Sequence, residues 1–450
     1  MQYCHVLLQF SFSNFRSFRT QQTLSLSANN RYKSLIGSTF TSTAPSLDNT
    51  RWLKGAILYG PNASGKSSVL DALRNLADLV MNSATITDPK EPIRQIEPYA
   101  LAPDEPDTPT AFAVTFVSDN VRFEYRVAAT RERIWHESLR AFPKVHEQLW
   151  FSRDWDHASQ SYDWSPDRPT GFQRDAALES YTLPNGLFLS KAIANNKSEL
   201  EPVFRWFKDR LKFIDLSSRR GGLGQNFTMQ QLAEKTPLAS SILELLRHAD
   251  IGVTDAAVYE RKPSPNDLEK VLPLFPDTLR EQARRSRWMT PELSHRGPNA
   301  KTFPLPWESE SAGTHRLFAV AGPWLDILRS GYVVCIDELE TSMHPLIVRE
   351  LLRLFASEQH NANGAQLIMT THSPLLLEPT LVRRDQVWFS DKDDEGASHL
   401  YSLMDYQPRQ GESLTRGYLA GRYGAVPFIP HGLLGSFEAT QQAVTEVANE

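Results

Sequence analysis

Cysteine is nearly absent. The 450-residue chain has two, Cys4 and Cys335, far apart in sequence. That excludes a disulfide scaffold and a cysteine-rich zinc module, and it suits a reducing compartment, so a cytoplasmic location is expected. No apolar run is long enough to span a bilayer. The opening stretch, MQYCHVLLQFSFSNF, lacks a basic n-region and a small-residue cleavage site, and it alternates as a strand does; it is not read as a signal peptide. An internal repeat and a low-complexity tract are also missing. So is an excess of one charge: the net charge is −5, and any face that binds nucleic acid has to be local. What remains is an ordinary globular composition, 40% apolar and 22% charged, with length for two or three domains' worth of core.

Alternation of apolar and polar residues predicts strands over Val6 to Phe15 and Thr23 to Ser27. Ala56 to Tyr59 reads as a short buried strand, followed by a helix over Ser67 to Val80 with Val69, Leu70, Leu73, Leu76 and Val80 on one face. Proline and acids crowd the stretch from Pro89 to Pro109, which predicts a connecting loop. Phe112 to Phe116 and Val121 to Val127 read as a hairpin turning at Asp119-Asn120, with Ile134 to Leu139 extending the sheet. Residues 141–305 are read as a mainly helical insertion, with helices at Leu200 to Leu211 and Leu238 to Leu246. The core resumes with a helix carrying Leu317, Val320, Trp324 and Leu328, kinked at Pro323. Tyr332 to Ile336 and Gln366 to Thr370 are continuous apolar runs, as central strands are; Gln386 to Phe389 and Leu400 to Leu403 read as later strands.

Four motifs carry chemistry. Residues Gly60, Pro61, Asn62, Ala63, Ser64, Gly65, Lys66 and Ser67 spell GPNASGKS, a full phosphate loop, with Ser68 following. Glycines let backbone N–H groups wrap phosphates at a helix N-terminus; Lys66 is expected on the β- and γ-phosphates of ATP and Ser67 on Mg²⁺. The strand Val333 to Ile336 ends in Asp337 and Glu338, a second expected Mg²⁺ ligand and the group that polarises the attacking water. Thr371-His372-Ser373 ends the next strand, where a histidine can sense a γ-phosphate. Glu310-Ser311-Ala312-Gly313-Thr314 opens a helix; alone it is an ordinary N-cap, or a second anion site.

The separation of Lys66 and Asp337, 337 − 66 = 271 residues, excludes a compact Ras-like layout. The order of the motifs resembles the ABC-type ATPases of the SMC, RecF and Rad repair class, as does Asn14-Phe15-Arg16-Ser17-Phe18. The resemblance implies that Arg16 lies near the nucleotide phosphates. It also implies that Ser311 and Gly313 are a signature acting across an ATP-bridged, head-to-tail homodimer or higher oligomer. The usual leucine-serine-glycine-glycine start is replaced by ESAGT. That form, with DELETSMHP at 337–345 and GYLAGRYGAVP at 417–427, is similar to the AAA-annotated ABC-like ATPases of bacterial abortive infection and anti-phage defence, the RloA-like proteins among them. By the resemblance, Glu340 to Pro345 is the loop that crosses the dimer interface, and Gln95 is the candidate glutamine switch.

The expected fold is an α/β P-loop ABC-type ATPase head, with a mixed sheet, flanking helices, a helical insertion and an antiparallel β subdomain. The expected divisions are 1–140, 141–305 and 306–450. Catalysis is assigned to Glu338, His372 and Lys66, with ATP and Mg²⁺ as cofactors. Arg280, Arg284, Arg285, Arg287, Arg296 and Lys301 make a basic stretch, and Arg219-Arg220 a weaker one. Both are read first as solvated surface, with nucleic acid or an acidic partner as the other reading. SDKDDEGAS (390–398) is read as a hairpin turn rather than a nuclease metal site, so an effector or toxin is expected on a separate protein. The alternatives are a RecF- or SMC-type repair ATPase and a scaffold that binds ATP without turning it over.

Overall fold

The computed structural model describes residues 5–427, apart from 48–49, 102–107, 168, 215–221, 250–251, 266–267, 270–271, 275–279, 282–283, 285–287 and 410. Cys4, Arg219, Arg220, Arg285 and Arg287 lie outside the described residues.

Period-two alternation builds the first sheet. It contains β1 (Val6–Ser13), β2 (Gln22–Ser25), β6 (Thr110–Ser118), β7 (Val121–Ala129), β8 (Ile134–Phe142), β9 (Gln148–Asp156) and β10 (Ser161–Ser165). All its pairings are antiparallel, in the order β10-β9-β8-β7-β6-β1-β2. The turn between β6 and β7 falls on Asp119 and Asn120, both with positive φ (48° and 62°), as the two-residue hairpin signal predicted. A small ribbon, β3 (Thr39–Thr41) with β4 (Arg51–Leu53), flanks this sheet.

The second sheet holds the chemistry. β5 (Gly55–Tyr59), β11 (Leu211–Ile214), β15 (Val333–Ile336), β16 (Gln366–Thr371) and β17 (Val387–Lys392) run parallel; β18 (Ser398–Ser402) closes one edge antiparallel to β17. The order is β11-β15-β16-β5-β17-β18. Both faces of its central strands are covered, so these strands read as unbroken apolar runs. Ala56, Leu58, Val333 and Cys335 point into one core with the helix Lys66–Asn82 and Phe10, Phe12, Phe112 and Phe116 of the first sheet. Ile57, Tyr59, Val334 and Ile336 point into the other, under the helices Ala312–Ser330 and Pro345–Ala356. Gln366, fully buried, joins the two sheets: its side chain accepts from Leu7 N (2.7 Å) and donates to Leu7 O (2.9 Å) and Leu53 O (3.0 Å).

The expected α/β fold, with its mixed sheet and antiparallel subdomain, is the one observed. The mainly helical description of 141–305 needs correction. That stretch supplies β9 and β10 to the first sheet and β11 to the edge of the second. It also forms a separate three-stranded sheet of β12 (Val253–Arg261), β13 (Trp288–Arg296) and β14 (Thr302–Pro306). Two of its helices, Gly222–Ala233 and Pro237–His248, pack with that sheet on Ala312–Ser330. The helix expected over Leu200 to Leu211 is a short α-turn, Glu201–Arg205, then a π-turn, Trp206–Arg210, then β11. Widening the last turn sets the adjacent Trp206 and Phe207 both into the core, which a regular amphipathic helix does less readily. SDKDDEGAS turns between β17 and β18 as expected, with Asp393 accepting from Ala397 N (2.9 Å) and facing His399 (2.8 Å).

Candidate nucleotide site

The parallel strands β5, β15, β16 and β17 all end on one edge of the core sheet. β5 delivers the phosphate loop there. Ser390 of the neighbouring β17 donates to Ser64 O (2.7 Å) and supports the loop from beneath. Gly65 has φ 102°, and a Cβ there would lie 2.9 Å from the Phe18 ring and from Ser17 Oγ; the position requires glycine on both counts. The N-terminal Asn14–Phe18 turn therefore acts as a wall for the loop. Lys66, 4% exposed, donates from Nζ to Gly60 O and Pro61 O, each 2.9 Å away. Burial depresses its pKa, against the pull of Glu338, Asp337 and Glu340, which face it.

The strand between the phosphate loop and the acidic pair is β16, and its last residues bind both neighbours. Thr370 Oγ1 donates to Asp337 Oδ1 (2.5 Å) and accepts from Glu338 N (3.0 Å). Ser67 Oγ donates to the same Asp337 oxygen at 3.1 Å, across 270 residues of sequence. Glu338 has φ 47°, a left-handed conformation that costs a side-chain-bearing residue on the order of 1–3 kcal/mol. The turn directs its carboxylate to His372: Oε1 lies 3.0 Å from Nε2, while Oε2 accepts from Thr341 Oγ1 (3.3 Å). A cleft of about 490 Å³ gathers Asn62 to Ser68, Glu338, His372, Arg16 and Ser17.

This donor set fits a magnesium nucleotide. The hydroxyl of Ser67 and the carboxylate of Asp337 are hard oxygen ligands side by side, of the kind Mg²⁺ takes together with phosphates and water. The loop N-termini and Lys66 supply the positive half, and Ser64 Oγ is buried there without a protein partner.

Arg16 lines the cleft, but its guanidinium is committed elsewhere: Nε donates to Glu97 Oε2 (2.9 Å), Nη2 to Glu97 Oε1 (3.2 Å) and Nη1 to Asp71. Gln95 is not among the cleft residues; its carbonyl accepts from Asn75 on the helix Lys66–Asn82. Nor are Ser311 and Gly313. Ser311 caps the helix Ala312–Ser330, accepting from Thr314 N (3.1 Å). A Cβ on Gly313 would lie 3.1 Å from Ser342 O, so the Ser311–Gly313 turn sits against the loop after the acidic strand and outside the cleft. Sequence reasoning passed over Thr370 and Ser390. The signal for both was polarity at the ends of otherwise apolar strands.

The family model described as "AAA domain, putative AbiEii toxin, Type IV TA system" matches residues 56–378. No curated protein sequence matches the chain. Among solved structures, an SmcHead bound to the C-winged helix domain of ScpA is 12% identical, covering 89% of this chain and 99% of that one, at a TM-score of 0.42. An SMC head domain from Thermotoga maritima is 11% identical, with coverages of 89% and 99% and a TM-score of 0.38.

Proposed function

The chain belongs to this AAA-domain family, and from that premise we propose that it is an ABC-type ATPase that gates a separate effector in bacterial anti-phage defence. One observation carries the ATPase reading: Ser67, Asp337, Glu338 and His372, from three distant parts of the sequence, are joined by hydrogen bonds around the phosphate loop. Asn62 to Ser68 would hold the triphosphate, with Lys66 turning from the loop carbonyls to the β- and γ-phosphates. Ser67 and Asp337 would hold Mg²⁺, which neutralises charge developing on the phosphates. Glu338 orients and polarises the attacking water, and His372 holds that carboxylate in place.

The placement of Ser311 and Gly313 away from the cleft supports a composite site. In it the signature turn of one copy closes over the phosphate loop of another, and hydrolysis at Glu338 releases the pair. Turnover is slow in this reading, and it times a conformational change. The abortive-infection reading draws on the family's own description, which names a toxin–antitoxin system. Arg16, clamped by Asp71 and Glu97, sets the wall of the loop and contacts phosphate only if those ion pairs open. Lys66→Ala is expected to abolish binding of a fluorescent ATP analogue, read by anisotropy with Mg²⁺ present. Binding at wild-type affinity sinks the assignment.

A further inference from the structure

Glu340 has no part in the mechanism above, yet it is tied to it on two sides. It lies two residues beyond Glu338 in the loop after β15. Its Oε1 accepts from Thr371 Oγ1 (2.6 Å) and from the main-chain N–H of His372 (2.7 Å). Its Oε2 is buried and has no protein partner. The phenol of Tyr59, at the end of β5, is likewise buried and unpartnered; burial first, and the Glu340 carboxylate second, keep it protonated. One loop thus holds one histidine by two carboxylates: Glu338 takes the ring at 3.0 Å, and Glu340 takes the main chain. The same loop carries Ser342, whose carbonyl lies against Gly313 of the signature turn.

A hydrogen bond to an ionised acceptor is roughly twice as strong as a neutral one, so a carboxylate is a stiff clamp for a main-chain N–H. Position matters at this point. The imidazole reaches Glu338 only if the main chain at Thr371-His372 stays where β16 ends, and a displacement of about 1 Å at a reacting group costs about a hundredfold in rate.

We propose that Glu340 is a positioning residue for hydrolysis: it fixes the main chain of His372 so that the imidazole rests on Glu338, and it makes that placement depend on the loop lying against the signature turn. The proposal rests on the ATPase reading for its consequence, but its structural half stands alone.

The test uses the full-length protein with Glu340→Ala and Glu340→Gln, and two readouts. Hydrogen exchange followed by mass spectrometry reports the amide of His372 in peptides spanning residues 370–374. Steady-state kinetics with Mg-ATP report kcat and KM, with ATP affinity measured separately. In Glu340→Ala, exchange at His372 is expected to rise and kcat to fall by about tenfold to a hundredfold, with ATP affinity within about twofold of wild type. Glu340→Gln, which keeps an acceptor oxygen but not its charge, is expected to restore part of the protection and of kcat. Unchanged exchange at His372 in the alanine variant overturns the proposal, whatever the enzyme does. So does a loss of kcat that the glutamine variant fails to rescue while protection is restored. If exchange rises as expected but the wild type does not hydrolyse ATP, the positioning stands and the ATPase reading falls.

Discussion

Glu338 carries the account at the scale of single residues. Its positive φ is set by two groups outside its own strand: Thr370, which accepts its N–H, and His372, which meets its carboxylate. A strained turn held by such contacts aims the carboxylate into the cleft. Glu338→Gln preserves the shape and removes the charge. It is expected to lower kcat by about 10²–10⁴-fold while ATP binding persists, measured by phosphate release alongside nucleotide affinity. An unchanged kcat refutes the role. The acidic pair was legible because a buried strand ended in two carboxylates. The contributions of Thr370 and Glu340 were not: each acts by hydrogen bonding across strands that lie more than 30 residues apart, and nothing local in TTHS or DELE announces the partner. Arg16 shows the converse limit. Its motif was legible, but its engagement with Asp71 and Glu97 depends on tertiary placement.

Among the elements, the helix Ala312–Ser330 links the signature turn to the insertion. Pro323 has no N–H to give Ala319 O, and the insertion helix Gly222–Ala233 approaches there: a Cβ on Gly224 would lie 2.4 Å from Ala319 O. One turn on, Thr228 Oγ1 accepts from Gly322 N (3.1 Å) and donates to Gly224 O (3.1 Å). His295 of β13 adds a contact to Glu310, beside the cap, at 2.7 Å. Gly224→Ala forces these helices apart and is expected to destabilise the fold by about 1–3 kcal/mol, seen as a lowered Tm. An unchanged Tm means the close approach does not matter. Periodicity read the core strands and the helices Lys66–Asn82 and Ala312–Ser330 well, because one or both faces are uniformly apolar, but it passed over the helix Pro345–Ala356. It misread 141–305, where β12, β13 and β14 are largely half-exposed or exposed, where β13 and β14 carry prolines, and where a π-turn breaks the helical period.

For the whole molecule, the two sheets gather the phosphate loop, Glu338 and His372 in one cleft, and leave the Ser311–Gly313 turn outside it, beside Ser342. The gap of 271 residues between Lys66 and Asp337 made a single core with a large insertion legible in advance. The proposed second copy rests on resemblance, since one chain's geometry ends at its own surface. The direct test is complementation. Lys66→Ala has a dead phosphate loop and an intact signature; Ser311→Arg has the reverse. A mixed pair contains one intact composite site. Mixing the two inactive proteins equally is expected to restore ATP hydrolysis to about a quarter of the wild-type rate, because about half of random pairs are mixed and each has one working site of two. A mixture no more active than its components contradicts the account.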